Sequence, residues 1–224
     1  MANGIFYVDE ILILIKIFNE YLKYIISMKK LLNIIILMIF SQSFSAQYFR
    51  LTPQGFVSDN KSDYVVIDVP NTKQKDLYRN VLNALSTMYK DPKNVLSTVE
   101  GESITVKGYE EKKIPHKYKL NPLLIGKATM KYDVSYTLNI LFKDNKIRFN
   151  SPSFECRRWY EGNYKSGWDE GWTYLTLMKD KNYRASIYDK NGEITSEESY
   201  TALNNHFNAL IKEILEKSKK INNW

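Results

Sequence analysis

Between Met130 and Phe142 the chain alternates without a break. Met130, Tyr132, Val134, Tyr136, Leu138, Ile140 and Phe142 are separated by single residues that are polar except for Leu141. A period of two over 13 residues predicts a long β-strand with one buried face. The Asp144-Asn145 turn leads back to Ile147, Phe149 and later Phe154, which predicts a hairpin. Tyr64 to Val69 reads as an earlier strand closed by Pro70 and Asn71. Val95 to Val99, the turn Glu100-Gly101-Glu102 and Ser103 to Lys107 read as another hairpin, and Tyr183 to Tyr188 as a last strand before Asn191-Gly192. Residues 109–127, with Pro115, Pro122, Gly126 and five Lys, read as a long connection. Residues 46–62 are polar, contain Pro53, Gly55 and Asn60, and read as a leader onto the first strand.

Two stretches follow a helical period instead. Leu77, Val81, Ala84, Leu85 and Met88 form one stripe, with Thr72 placed to cap it and Asp91-Pro92 to end it, so a helix is expected over 73–89. Tyr200, Leu203, Phe207, Leu210, Ile211, Ile214 and Leu215 form a second stripe behind the capping-box pair Thr195 and Glu198, giving a helix over 197–219. The order strand, helix, several antiparallel strands, helix predicts an α+β fold. Two apolar stripes can both be buried on one face of one antiparallel sheet.

The N-terminal part has a different pattern. Met28-Lys29-Lys30, the apolar run Leu31 to Phe40 and the small residues Ser41 to Ala46 occur in the order basic, apolar, small. That is the pattern of a signal peptide at 28–45, since the apolar run is shorter than the roughly 20 residues that cross a bilayer. Cleavage after Ser45 places Ser43 and Ser45 at the two positions the peptidase reads. Residues 1–27 read as an extension upstream of a start at Met28. The alternative is a longer anchor from Ile11 to Phe40, which would set Lys16, Glu20, Lys23, Lys29 and Lys30 at or near bilayer depth. Removal of the segment leaves residues 63–224 as a single domain, periplasmic or secreted, without stable membrane insertion.

Composition narrows the chemistry. One Cys among 224 residues allows no internal disulfide, and two His 90 positions apart supply no metal-ligand spacing, so neither metal nor other cofactor is expected. The formal net charge is +7, and export points away from nucleic acid as its partner.

Tyr64 to Val69 with its helix, Val95 to Gly108, and the strand 129–143 turning through Lys143-Asp144-Asn145-Lys146 into Ile147-Arg148-Phe149 together resemble the domain of unknown function 4468 family. The resemblance covers about residues 62–155. It implies a TATA-binding-protein-like fold and a place among exported proteins of Gram-negative bacteria, and no activity or site residues. The segment Trp159 to Trp172 departs from the family pattern.

That segment carries the most unusual composition, with six aromatics and three Gly in residues 159–174, and it is expected as an insertion beside the last strands. Trp159, Tyr164, Trp168 and Trp172 are the candidate binding residues, because flat apolar rings with a polar edge suit a sugar or peptide platform. The same rings would equally serve as a minor core. Glu155, Glu161, Asp169 and Glu170 could provide a carboxylate pair for a glycan-acting hydrolase, against the plainer role of solvated counter-ions to Arg157, Arg158 and Lys165. Cys156 lies beside Arg157 and Arg158 but has no His near it in sequence, so it reads as a half-buried strand residue and not a nucleophile. Lys112, Lys113, Lys117 and Lys119 with Tyr109 and Tyr118 suggest a nucleic-acid patch that Glu110 and Glu111 dilute. The residues favour a non-enzymatic module binding a protein, peptide or glycan over the hydrolase, and leave the enzyme question open.

Overall fold

The computed structural model describes residues 18–25, 28–29, 47–118, 126–162, 170–180 and 185–220. The chain divides into two units, Met1–Ser45 and Ala46–Trp224. In the first, residues 18–25 are helical and exposed, with Lys23 Nζ 2.9 Å from Glu20. The apolar run and cleavage region of the expected signal peptide lie outside the described residues. Among the described residues no helix is long and apolar enough to cross a membrane.

The second unit opens on a hairpin where a leader was expected. Strands β1 (Arg50–Thr52) and β2 (Gly55–Val57) pair antiparallel, and Phe49, Leu51 and Phe56 enter the core at 3% exposure or less. Each strand buries a single apolar residue, too few for a periodic signal. The backbone of this segment is held from the far end of the chain. Asn208 Oδ1 accepts the Tyr48 and Phe49 amides at 2.6 and 3.0 Å, its Nδ2 donates to the Phe49 carbonyl, and Asn204 Oδ1 accepts the Leu51 amide. These side chains take the part a neighbouring strand would otherwise play.

Then come β3 (Tyr64–Asp68), α1 (Gln74–Met88), the single turn α2 (Pro92–Val95), β4 (Leu96–Val99), β5 (Ser103–Tyr118), β6 (Ala128–Lys143), β7 (Lys146–Asn150), β8 (Ser153–Tyr160), β9 (Gly171–Met178), β10 (Ala185–Tyr188) and α3 (Glu197–Lys220). The eight-stranded sheet runs β10-β9-β8-β6-β5-β4, with β7 on the remaining stretch of the β6 edge and β3 beyond it. The described pairs are antiparallel except β9 with β10, which run parallel. Helices α1 and α3 pack beside each other on one face, above Val134, Leu138, Ile140 and Phe149, all fully buried.

Three local expectations are corrected. The connection expected over 109–127 is strand as far as Tyr118, because β6 offers an equally long partner, from Ser103 opposite Leu141 to Tyr118 opposite Ala128. A bulge between Glu110 and Ile114 takes up the surplus residues, with Lys112 at φ 50°. Pro115 is tolerated because β4 stops pairing at Val106, leaving that edge of β5 without a strand partner. At the start of α1, Thr72 makes no cap. Asp144, from the β6–β7 turn, accepts the Gln74 amide at 2.9 Å, and that bond holds its carboxyl below the usual range. Helix α3 starts at Glu197 as expected, but Thr195 does not cap it. Thr195 Oγ1 donates back to the Ile187 carbonyl, and Ser196 precedes the helix.

Candidate functional site

With both helices on one face, no described helix covers the opposite face of the sheet. The side chains that alternate with the core residues point there: Tyr109 from β5, Asp133, Ser135 and Thr137 from β6, Glu155, Arg157 and Trp159 from β8, and Trp172 and Tyr174 from β9. Register sets them in rows. Ser135 stands between Tyr109 and Glu155, Asp133 and Tyr174 flank Arg157, and Trp159 is directly opposite Trp172.

The tryptophan pair is edge to face, with ring centroids 5.3 Å apart at 78°, and the two residues are 46% and 43% exposed. Indoles in direct cross-strand register with their outer surface wet form an aromatic ledge on this face. Arg157 Cζ lies over the Trp172 ring, 4.4 Å from its centroid, a cation–π arrangement. Its Nη1 stands 3.9 Å from Glu155 Oε1, and its Nε is buried with no partner among the described residues. The bulge completes the neighbourhood. It turns the Lys112 amide onto Asp133 Oδ1 at 2.8 Å, while the Tyr109 hydroxyl donates to Oδ2 at 2.8 Å. The bond to Asp133 raises the Tyr109 phenol above its ordinary value.

Of the four candidate binding residues, the structure brings Trp159 and Trp172 together. Tyr164 and Trp168 lie outside the described residues. The ends of the 159–174 segment are not an added element: Trp159 and Tyr160 close β8, and Gly171 to Tyr174 open β9. Sequence reasoning missed Asp133 as part of this face, and it treated Tyr109 and Arg157 only as pieces of other patterns. The alternation in β6 did place Asp133 on the side away from the core, but its neighbours across strands could not be read.

The other candidates disperse. Glu155 lies on the face, Glu161 and Glu170 are exposed at the two ends of the β8–β9 connection, and Asp169 is outside the described residues. Cys156 is fully buried, not half-buried, between Val134 and Leu175, and burial pushes its thiol up to about 12, so it is inert as a nucleophile. Lys113 pairs with Glu110 and Lys117 with Glu198, so two of the four lysines face neighbouring acids, and Lys119 lies outside the described residues. No described group of three His, Cys, Asp or Glu residues could hold a metal ion. A hollow of about 780 Å³ beside the start of α1, lined by Lys73, Arg79, Glu100, Glu102 and Asp144 among others, includes none of the tryptophan-face residues.

Residues 64–157 match the family model described as a domain of unknown function (DUF4468) with TBP-like fold. Over this stretch the chain is similar to the DUF4468 family. The DUF4468 match includes Tyr109, Asp133 and Arg157 and stops short of Trp159, so the tryptophan ledge is built at its C-terminal border. Two solved structures are similar to the chain, each at 10% identity and a TM-score of 0.43. One is a TBP-like protein from Parabacteroides distasonis ATCC 8503, covering 70% of this chain and 90% of that one. The other is a DUF4468 family protein from Bacteroides ovatus ATCC 8483, covering 69% and 84%. No curated protein matches the chain.

Proposed function

We propose that this protein is an exported, non-enzymatic module that binds a saccharide partner on the sheet face opposite the helices. The observation that carries the reading is the exposed Trp159–Trp172 pair, set among Tyr109, Asp133, Glu155 and Arg157. An indole face takes the apolar side of a sugar ring, and flanking carboxylate, hydroxyl and guanidinium groups take its hydroxyls. A peptide fits less well. A strand-adding peptide would pair at a sheet edge such as β3 or β4, not on the face where the tryptophans stand. A carboxylate hydrolase is also less well served. Asp133 and Glu155 stand diagonally on an open face, and both Asp133 oxygens already hold donors. Export is supported by the basic, apolar and small order of 28–46.

The test is a glycan array probed with the chain from Ala46, with a peptide array beside it. The wild type should bind saccharides, and Trp159→Ala should lose that binding with its fold intact. Signal on peptides alone would overturn the reading.

A further inference from the structure

The groups around the tryptophan pair bear on the charge of the ligand, an inference that rests on the saccharide reading above. Arg157 Cζ lies 4.4 Å over the Trp172 ring and its side chain remains 37% exposed. Such a contact does not use the in-plane donors at the guanidinium rim. Arg157 Nε is buried without a hydrogen-bond partner among the described residues, so a ligand would meet the Nη groups. Glu155, its ion-pair partner, stands at 3.9 Å, beyond hydrogen-bond range, and Asp133, directly opposite in register, has both oxygens occupied by Tyr109 and Lys112. Glu155 is itself 52% exposed, so it can swing aside for a competing carboxylate. A guanidinium presenting its Nη groups matches a planar carboxylate through two parallel hydrogen bonds. Trp159, beyond Arg157 on the same strand, adds an exposed ring for the apolar side of the sugar.

We propose that the face selects an acidic saccharide, with the sugar ring on Trp159 and its ring carboxylate on the Arg157 fork. No bond is made or broken. Neutral sugars would keep the stacking and lose the paired hydrogen bonds, so preference for the acidic form is set by Arg157.

The test is affinity electrophoresis of the chain from Ala46 through gels cast with polygalacturonate, alginate or hyaluronan, and with galactan, glucomannan or hydroxyethyl cellulose as neutral counterparts. At least one acidic gel should retard the wild type about tenfold more strongly than the neutral gels, as the loss of charge-assisted hydrogen bonds implies. Arg157→Gln should reduce that preference to about twofold, and Arg157→Lys should recover only part of it, because an ammonium has no fork. Trp159→Ala, which leaves the charge unchanged, should abolish retardation, and thermal unfolding of each variant checks its fold. Equal retardation by acidic and neutral gels would overturn acid selection while leaving saccharide binding standing. Retardation that survives Trp159→Ala would mean bulk attraction to a basic protein, and retardation in no gel would mean no saccharide site. Either result overturns both readings.

Discussion

The ring of Tyr136 lies across Gly108, its register partner on the neighbouring strand, so closely that a Cβ at position 108 would fall within the ring. The glycine is needed for this close approach. The ring then meets His206 and Phe207 on α3 at 5.4 Å each, and its hydroxyl stands 3.1 Å from that of Tyr89, at the end of α1. One tyrosine thus ties the sheet to both helices. Gly108→Ala is expected to cost about 1–3 kcal/mol or more, the usual range for overpacking. A double-mutant cycle with Tyr136→Ala checks the cause, since the alanine at 108 should be nearly neutral once the ring is gone.

Asn208 carries the amino-terminal hairpin. Asn208→Ala removes the acceptor of two amides and leaves the buried Phe49 amide without a partner, so a loss of about 2–3 kcal/mol is expected from denaturant titration. Hydrogen exchange should rise first over 48–57. Unchanged exchange there would show that packing of Phe49 and Leu51 alone holds the segment.

Both histidines of the chain sit at the seam between β5 and α3, one from each side. His116 places Nδ1 3.0 Å from Ser196 Oγ, and His206 places Nδ1 3.6 Å from Glu110 Oε1. Burial lowers both below the ordinary value, with Glu198 opposing the shift at His116 and Glu110 opposing it at His206. The unfolded chain therefore takes up protons first as pH falls below about 6.5. Stability is full above that value and is lost as pH falls through the window down to the lowered folded values. Unfolding midpoints measured from pH 7.5 to 5 should drop, and the His116→Gln, His206→Gln double variant should flatten the curve. Asp144, Asp189 and Glu198, whose carboxyls are held low, act in a separate window at lower pH.

Core and ledge should respond differently to alanine. Phe207, fully buried on α3, is expected to cost about 3–5 kcal/mol on replacement. Trp159→Ala should change stability by about 0.5 kcal/mol or less, as at ordinary surface positions. Trp172→Ala should cost about 0.5–1 kcal/mol more, because Arg157 loses its stacking partner. A loss near 3 kcal/mol at either tryptophan would make the pair core and remove the basis for a binding face.

Expressed in its host from Met28, the protein is expected to be cut after Ser45, and N-terminal sequencing of the mature chain reads the site directly. A chain still beginning at Met28 would favour an anchor.

The β6 alternation and the two helical stripes were legible in the sequence, because burial on one face imposes a period within a single element. Met130 to Phe142 became the central strand, and Leu203, Phe207, Ile211 and Ile214 became the buried side of α3. The tertiary structure decided which elements meet. Asp144 caps a helix 70 residues before it, Asn208 holds a hairpin 159 positions away, and Arg157 stacks on a tryptophan that only strand register brings alongside. Spacing along the chain carries no trace of such partners, because a hydrogen bond or ring contact across strands depends on register and on the closing turn. Two exposed tryptophans could be named from composition, but their conversion into one ledge beside a cation came from the pairing of β8 with β9 on the face opposite the helices.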